Sequence, residues 1–194
     1  NPAPSVIVVP NQTLCNGANT TAINFTSLTA GAAFSWTNNN TAIGLVAGGV
    51  GNIASFVATN TGTTSITATV TVTANANGCF GTPMVFTITV DPTATITNPT
   101  LTDDICSGTE AIFNPTSNVV GATFSYTAVG SSANVTGFTA AGAGNINDVL
   151  TNTGTATETV TYTITPIGPA PTNCPGTPSN FVVTVDPTPT VTNA

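Results

Sequence analysis

Between positions 64 and 93 the chain reads TSITATVTVTANANGCFGTPMVFTITVDPT, and through its central run every second residue is a threonine. Ile66, Ala68, Val70 and Val72 fall on one face of an extended chain, and Thr67, Thr69, Thr71 and Thr73 fall on the other. A helix cannot keep such a spacing on one side, so the stretch predicts a half-buried strand. Phe86, Ile88 and Val90 alternate with Thr87 and Thr89 in the same way, and the two runs flank an Asn/Gly/Pro-rich connection. Together they read as a hairpin with a long connection. The pattern recurs at 156–188 as ATETVTYTITPIGPAPTNCPGTPSNFVVTVDPT. There Val160, Tyr162 and Ile164 face one way, Thr159, Thr161, Thr163 and Thr165 the other, and Phe181, Val183 and Val185 follow the turn.

The repetition extends beyond the hairpin. CNG at Cys15 matches CSG at Cys106, FSWT at Phe34 matches FSYT at Phe124, GNI at Gly51 matches GNI at Gly144, and TNTG at Thr59 matches TNTG at Thr151. The unit is roughly 91–95 residues long, which suits an immunoglobulin-sized β-sandwich of about seven short strands. No window shows a helical period with caps, so the expected fold is all-β. The expected units are 1–91 and 92–187, with 188–194 beginning a further copy. The opening NPAPSV resembles the DPTAT and DPTPT that follow each last strand, there is no initiating Met, and both ends fall inside the period. The chain therefore reads as a mature segment or an excerpt of a longer tandem array. The Asp-Pro-Thr joints are short and stiffened by proline, so the units are expected to stack end to end as a semi-rigid rod. Buried positions are expected at Phe34, Trp36, Val70, Phe86 and Ile88 in the first unit and at Phe124, Tyr126, Val160, Tyr162, Phe181 and Val183 in the second.

Composition narrows the function. Lys, Arg and His are absent, the net charge is −7, and only 4% of residues are charged, against about 25% in ordinary globular domains. A surface that grips phosphates or anionic lipids needs Lys or Arg, which excludes nucleic-acid binding, electrostatic membrane binding and most nucleotide chemistry. Acid–base catalysis near neutrality usually recruits His, Lys or a raised carboxylic acid, and here the first two are missing. A glycosidase needs two acids about 5–10 Å apart in a cleft. Only Asp103 and Asp104 are sequence neighbours, and the first copy has no counterpart to them. No catalytic residue is expected, and the chain reads as a non-enzyme. Residues 1–90 carry no charge at all, whereas Asp103, Asp104, Glu110, Asp148, Glu158 and Asp186 all lie in the second copy. Hydrophobic residues still reach 40% with regular spacing, which argues for a packed core rather than disorder.

Trp36 and Tyr126 occupy equivalent places and read as core aromatics with Phe86, Tyr162 and Phe181, in preference to a sugar-stacking platform. Asp103, Asp104 and Glu110 could join Asp91 around a Ca²⁺ at the joint between units, since hard cations want several oxygens; the plainer reading is solvated loop acids, with no cofactor. Asn-x-Ser/Thr triplets at Asn11, Asn19, Asn24, Asn39 and Asn134 are glycosylation candidates that a chain this rich in Asn and Thr also produces by chance. The threonine faces read either as carriers of O-linked sugars or as uncharged, β-favouring surface. Sheet edges are usually guarded by charge, and the first copy has none, so lateral contacts between chains or a glycan coat are expected to cover them.

The four cysteines stand at repeat-matched positions, there is no His, and their spacing is wide, which points to disulfides rather than zinc. Two pairings are open. One joins Cys15 to Cys79 and Cys106 to Cys174, closing loops of about 65–70 residues and adding roughly 4 kcal/mol to each unit. The other pairs Cys15 with Cys174 and leaves Cys79 and Cys106 to neighbouring units, because the first turn and the last hairpin of one sandwich lie a strand length apart.

Taken as a set, CxG, FSW/YT, GNI, TNTG, TVTYTITP, CxGTP and FxVTVDPTP resemble the PKD-like repeats of very large surface proteins of Bacteroidetes. The resemblance covers nearly the whole chain twice. It implies Ig-like β-sandwiches in long tandem arrays, exported to the cell surface by the type IX pathway, in adhesins that include those used for gliding. The first copy departs from the pattern with TVTANANG in place of TYTITPIG and with no acid, which weakens any shared ion site. The expected function is an extracellular, non-enzymatic segment of an adhesin stalk or surface filament that spans distance and resists force and proteolysis. Partners would be neighbouring repeats, identical chains in a fibre, or surface glycans. The alternatives are a carbohydrate-binding module, which predicts an exposed aromatic patch on one unit only, and a subunit of a laterally assembling polymer.

Overall fold

A computed structural model describes residues 3–191. Strand makes up 47% of the chain and helix 2%, so the fold is all-β. The chain divides into two compact units, Asn1–Thr93 and Ala94–Ala194, a division that falls after Thr93 rather than after Asp91. Of the segment 188–194, residues 192–194 lie outside the described residues.

In the first unit, β1 (Gln12–Cys15), β2 (Ala33–Asn38), β3 (Gly48–Val50), β4 (Ile66–Ala76), β5 (Cys79–Phe80) and β6 (Met84–Asp91) form one sheet. Its order is β1-β6-β4-β2-β3, with β5 paired to the end of β4. The threonine alternation builds β4: Ala68, Val70, Val72 and Ala74 are fully buried, and the threonines between them face outward. A second layer consists of the stretches 17–25 and 52–60, joined by single bridges at Asn19–Val57 and Ile23–Ile53. Ile23, Phe25 and Ile53 from that side, with Ile43 and Leu45 from the connection between β2 and β3, join Trp36, Val70, Phe86, Ile88 and Val90 in one core.

The second unit has the same plan with a fuller second layer. β7 (Thr102–Cys106), β9 (Thr123–Gly130), β11 (Ala141–Ala143), β13 (Glu158–Ile167) and β14 (Ser179–Asp186) form a sheet in the order β11-β9-β13-β14-β7. β8 (Thr109–Phe113), β10 (Val135–Thr136) and β12 (Ile146–Asn152) form the opposing sheet in the order β10-β12-β8. Phe113 stacks on Phe181 at 4.3 Å between centroids, and Tyr126 meets Tyr162 edge-on at 5.9 Å. Such aromatic pairs add about 0.5–1.5 kcal/mol beyond their area.

The core differs from expectation at two places. Phe34 and Phe124 are only partly buried and pack against the margin of their clusters, Phe34 lying 5.8 Å from Phe25. Each is the second residue of its strand. The connection after β4 differs as well. β4 turns into β5 through Asn77-Gly78, both at positive φ (52° and 80°), the tight type I′ geometry that Asn-Gly favours.

Candidate functional site

The feature common to both units is a short first strand laid in parallel along the last. β1 runs with β6 in the register Gln12–Ile88 to Cys15–Asp91, and β7 runs with β14 from Thr102–Val182 to Cys106–Asp186. Backbone bonds extend each ladder by one step: Asn16 N donates to Asp91 O and Ser107 N to Asp186 O, both at 2.8 Å. The side chain of each aspartate is held from the residue just before the long strand, Asp91 by the Ser65 hydroxyl and Asp186 by the Thr157 hydroxyl at 2.9 Å. This gives the repeated Val-Asp-Pro exit a structural task.

The repeated TNTG motif supplies a second lock. Asn60 and Asn152 are 2% and 4% exposed. The Asn152 side-chain amide donates to Ala156 O and Val185 O at 2.8 Å each, and its carbonyl accepts from Gly154 N at 2.9 Å. Asn60 does the same with Thr64 O, Val90 O and Gly62 N. Each asparagine thus ties the loop before the long strand to the last strand. The sequence shows TNTG as a repeated string but gives no sign that an asparagine, usually a surface residue, is buried.

The carboxylates do not form a catalytic pair. Asp148, 8% exposed, accepts from Thr139 N, Thr139 Oγ1 and Tyr162 Oη, all at 2.8 Å, so its acceptors serve the core. Burial, and then this carboxylate, push the Tyr162 phenol well above its ordinary value. Glu158 accepts from the Ser131 hydroxyl, and hydrogen bonds from Ser131 and then Ser132 lower its pKa below 4.5. Of the candidate cation ligands, Asp91 holds Ser65, Asp103 Oδ1 accepts from Asp104 N at 3.0 Å, and Glu110 stands exposed on β8. Among the described residues no three acidic or cysteine side chains gather as a metal ion would require. The candidate sequon residues Asn11, Asn19, Asn24, Asn39 and Asn134 are all exposed. Asn11 and Asn39 use their side-chain oxygens to cap the Thr87 and Thr69 amides, at 2.8 and 2.7 Å.

Cys15 and Cys174 are disulfide-bonded, whereas Cys79 and Cys106 are free and exposed. The pairing within each unit, Cys15–Cys79 and Cys106–Cys174, is therefore corrected, and the topology explains why. Cys15 pairs with Asp91 at the end of β6, whereas Cys79 precedes the start of that strand. Eight strand residues span roughly 25 Å at about 3.3 Å each, against an upper limit of about 7 Å between the Cα atoms of a disulfide. Cys106 and Cys174 stand at the two ends of β14 in the same way.

One aromatic group escaped the sequence reading. Phe80 is 69% exposed and, with Phe34, Val50, Asn75 and Asn77, lines a shallow depression of about 800 Å³ on the first unit. Its counterpart in the second copy is Pro175, so the aromatics of the two copies do not all match.

Residues 103–189 match the sequence profile of the PKD-like domain. The second unit is similar to that domain over almost its whole length. Comparison with curated proteins finds no match. Among solved structures, the titin I-band fragment I67–I69 is similar at a TM-score of 0.49 and 9% identity, over 96% of this chain and 66% of that one. DIP-gamma IG1+IG2 is similar at 0.43 and 10%, over 95% and 98%, and Drosophila N-cadherin EC1-4 at 0.44 and 11%, over 97% and 50%. The chain is all-β and folds as two units, the second of which carries the match to the PKD-like domain. Among the described residues no helix is long and apolar enough to cross a membrane.

Proposed function

We propose that this chain is an extracellular, non-enzymatic structural repeat, a segment of a cell-surface adhesin stalk or filament, exported by the type IX route that the resemblance to Bacteroidetes surface proteins implies. The observation that carries this reading is the parallel pairing of the first and last strands in each unit. When tension enters a unit through its first strand and leaves through its last, these strands slide along each other. All the ladder bonds are then loaded together instead of opening one at a time. Each bond is worth only about 0.5–1.5 kcal/mol net, so resistance comes from breaking them as a set. Unit-sized sandwiches without Lys or Arg also offer trypsin-like proteases no cleavage site.

Single-molecule force measurement on the chain tests this. Asn16 N donates to Asp91 O, and Ser107 N donates to Asp186 O. Because a parallel ladder uses every second residue, the amides of Gln12 and Asp103 face the last strands too. Gln12→Pro and Asp103→Pro each remove one such amide. Each is expected to abolish the high-force event of its own unit and spare the other. Equal rupture forces with and without proline would overturn the proposal. Carbohydrate binding stays as a second reading because of Phe80 alone. It requires retention on a neutral polysaccharide that Phe80→Ala abolishes, and a chain that passes through unretarded refutes it.

A further inference from the structure

The two cysteine positions of the repeat are used differently in the two units. The strand-end position, paired with the last aspartate of the unit, is disulfide-bonded at Cys15 and free at Cys106. The hairpin position, in the Cys-x-Gly-Thr-Pro turn, is disulfide-bonded and 1% exposed at Cys174 but free and exposed at Cys79. The backbone after the two hairpin cysteines matches, Gly81 N donating to Ala74 O at 2.8 Å and Gly176 N to Pro166 O at 2.7 Å, but the turns before them differ: Asn77-Gly78 leads into Cys79, and the longer stretch 169–173 leads into Cys174. The shorter turn leaves the Cys79 thiol free and exposed, whereas Cys174 is oxidised and buried. A second observation marks the same place. Phe80, next to Cys79, leaves a large ring 69% exposed, an apolar surface of the kind a partner covers.

The free set thus contains one cysteine of each kind, as the oxidised set does. We propose that Cys106 of one copy and Cys79 of the next form a disulfide that joins copies of this chain in series. The two thiols belong to different units, and a head-to-tail pairing of them that does not close on itself grows an open chain. The reaction needs a thiol oxidant, and a small-molecule disulfide such as glutathione disulfide serves. The Cys106 thiolate attacks it and releases one glutathione. The Cys79 thiolate of the next copy then attacks the Cys106 sulfur of the mixed disulfide and releases the second. Two protein thiols are oxidised and one glutathione disulfide is reduced to two glutathiones.

The proposal rests on the reading of the chain as a serial structural element, and the test separates the two. The purified chain is incubated in a glutathione buffer poised at roughly −180 to −210 mV, the range of a secretory lumen. Its products are resolved without reductant, then digested with pepsin at acid pH, where thiolate exchange is suppressed. The expected result is a reductant-sensitive ladder extending beyond the dimer, with a cross-linked Cys79–Cys106 peptide. Cys79→Ser or Cys106→Ser should each remove every species above the dimer, and the double variant should stay monomeric with an unchanged β-type circular-dichroism spectrum. Monomers carrying only glutathione adducts, symmetric Cys79–Cys79 or Cys106–Cys106 dimers as the main product, or growth that stops at a dimer would each overturn the proposal. The force measurement is made on the double serine variant, so a failure of the strand ladder refutes the structural reading and leaves the thiol result standing.

Discussion

Replacing Asn152 by alanine is expected to weaken the second unit alone, and the size of the effect follows from its three hydrogen bonds. The substitution strips the buried Val185 carbonyl of its donor, which costs about 1–3 kcal/mol for an unsatisfied group. The Ala156 carbonyl and the Gly154 amide are part-buried and can turn to water, so their lost bonds add about 0.5–1 kcal/mol each. The expected loss is about 2–5 kcal/mol. For a unit near 100 residues each kcal/mol moves the midpoint by about 4–8 °C, so the melt should fall by roughly 8–40 °C. The chain carries its own reporters, since its one tryptophan, Trp36, is in the first unit and both tyrosines, Tyr126 and Tyr162, are in the second. Thermal and urea melts followed by tyrosine absorbance should shift, while those followed by tryptophan fluorescence should not. Asn60→Ala should reverse the pattern. A loss below about 1 kcal/mol in the tyrosine signal would refute the claim that the buried asparagine locks the exit strand.

Three further outcomes are expected. The folded phenol of Tyr162 holds its proton above the ordinary value of 10.0, so its contribution to stability is intact below pH 10 and declines as pH rises beyond it; urea melts from pH 9 to 12 should show this slope in the native chain and lose it in Tyr162→Phe. Gly49 and Gly142 lie directly across from Trp36 and Tyr126, and a methyl group there would meet the Trp36 ring at 2.6 Å and the Tyr126 hydroxyl at 2.5 Å, so Gly49→Ala and Gly142→Ala should each destabilise their own unit by about 1–3 kcal/mol in denaturant titrations. The lowered carboxyl of Glu158 contributes stability above its ordinary 4.5 that fades as pH falls through the folded value, and Ser131→Ala should raise that value toward 4.5 in an NMR titration.

Period-two spacing made the long central strands legible, because β4, β6, β13 and β14 bury one full face and the sequence displays it residue by residue. It could not show β1 and β7, which are four and five residues long and find their partners at the far end of the unit. Nor could it separate the second layers: β8 and β12 alternate visibly, whereas in the first unit the matching stretches touch only at isolated bridges. The tight turn after β4 was announced by Asn-Gly and hidden by the longer Gly/Pro-rich stretch around it. The buried asparagines and Asp148 were legible only as repeated or scattered polar letters. Burial of such groups depends on partners that alternation does not encode.

The parallel ladder also fixes when a unit becomes strong. Gln12 must find Ile88 across 76 residues, and closing a loop of that length costs about 4 kcal/mol in chain entropy. Contacts so distant in sequence form late. A unit synthesised amino end first therefore lacks this ladder until its last strand is made. Pulsed hydrogen exchange should find the amides of β1 and β7 among the last to be protected, and early protection there would contradict this order. The same pairing that ties the two ends of a finished unit together leaves an unfinished one with its first strand unpaired.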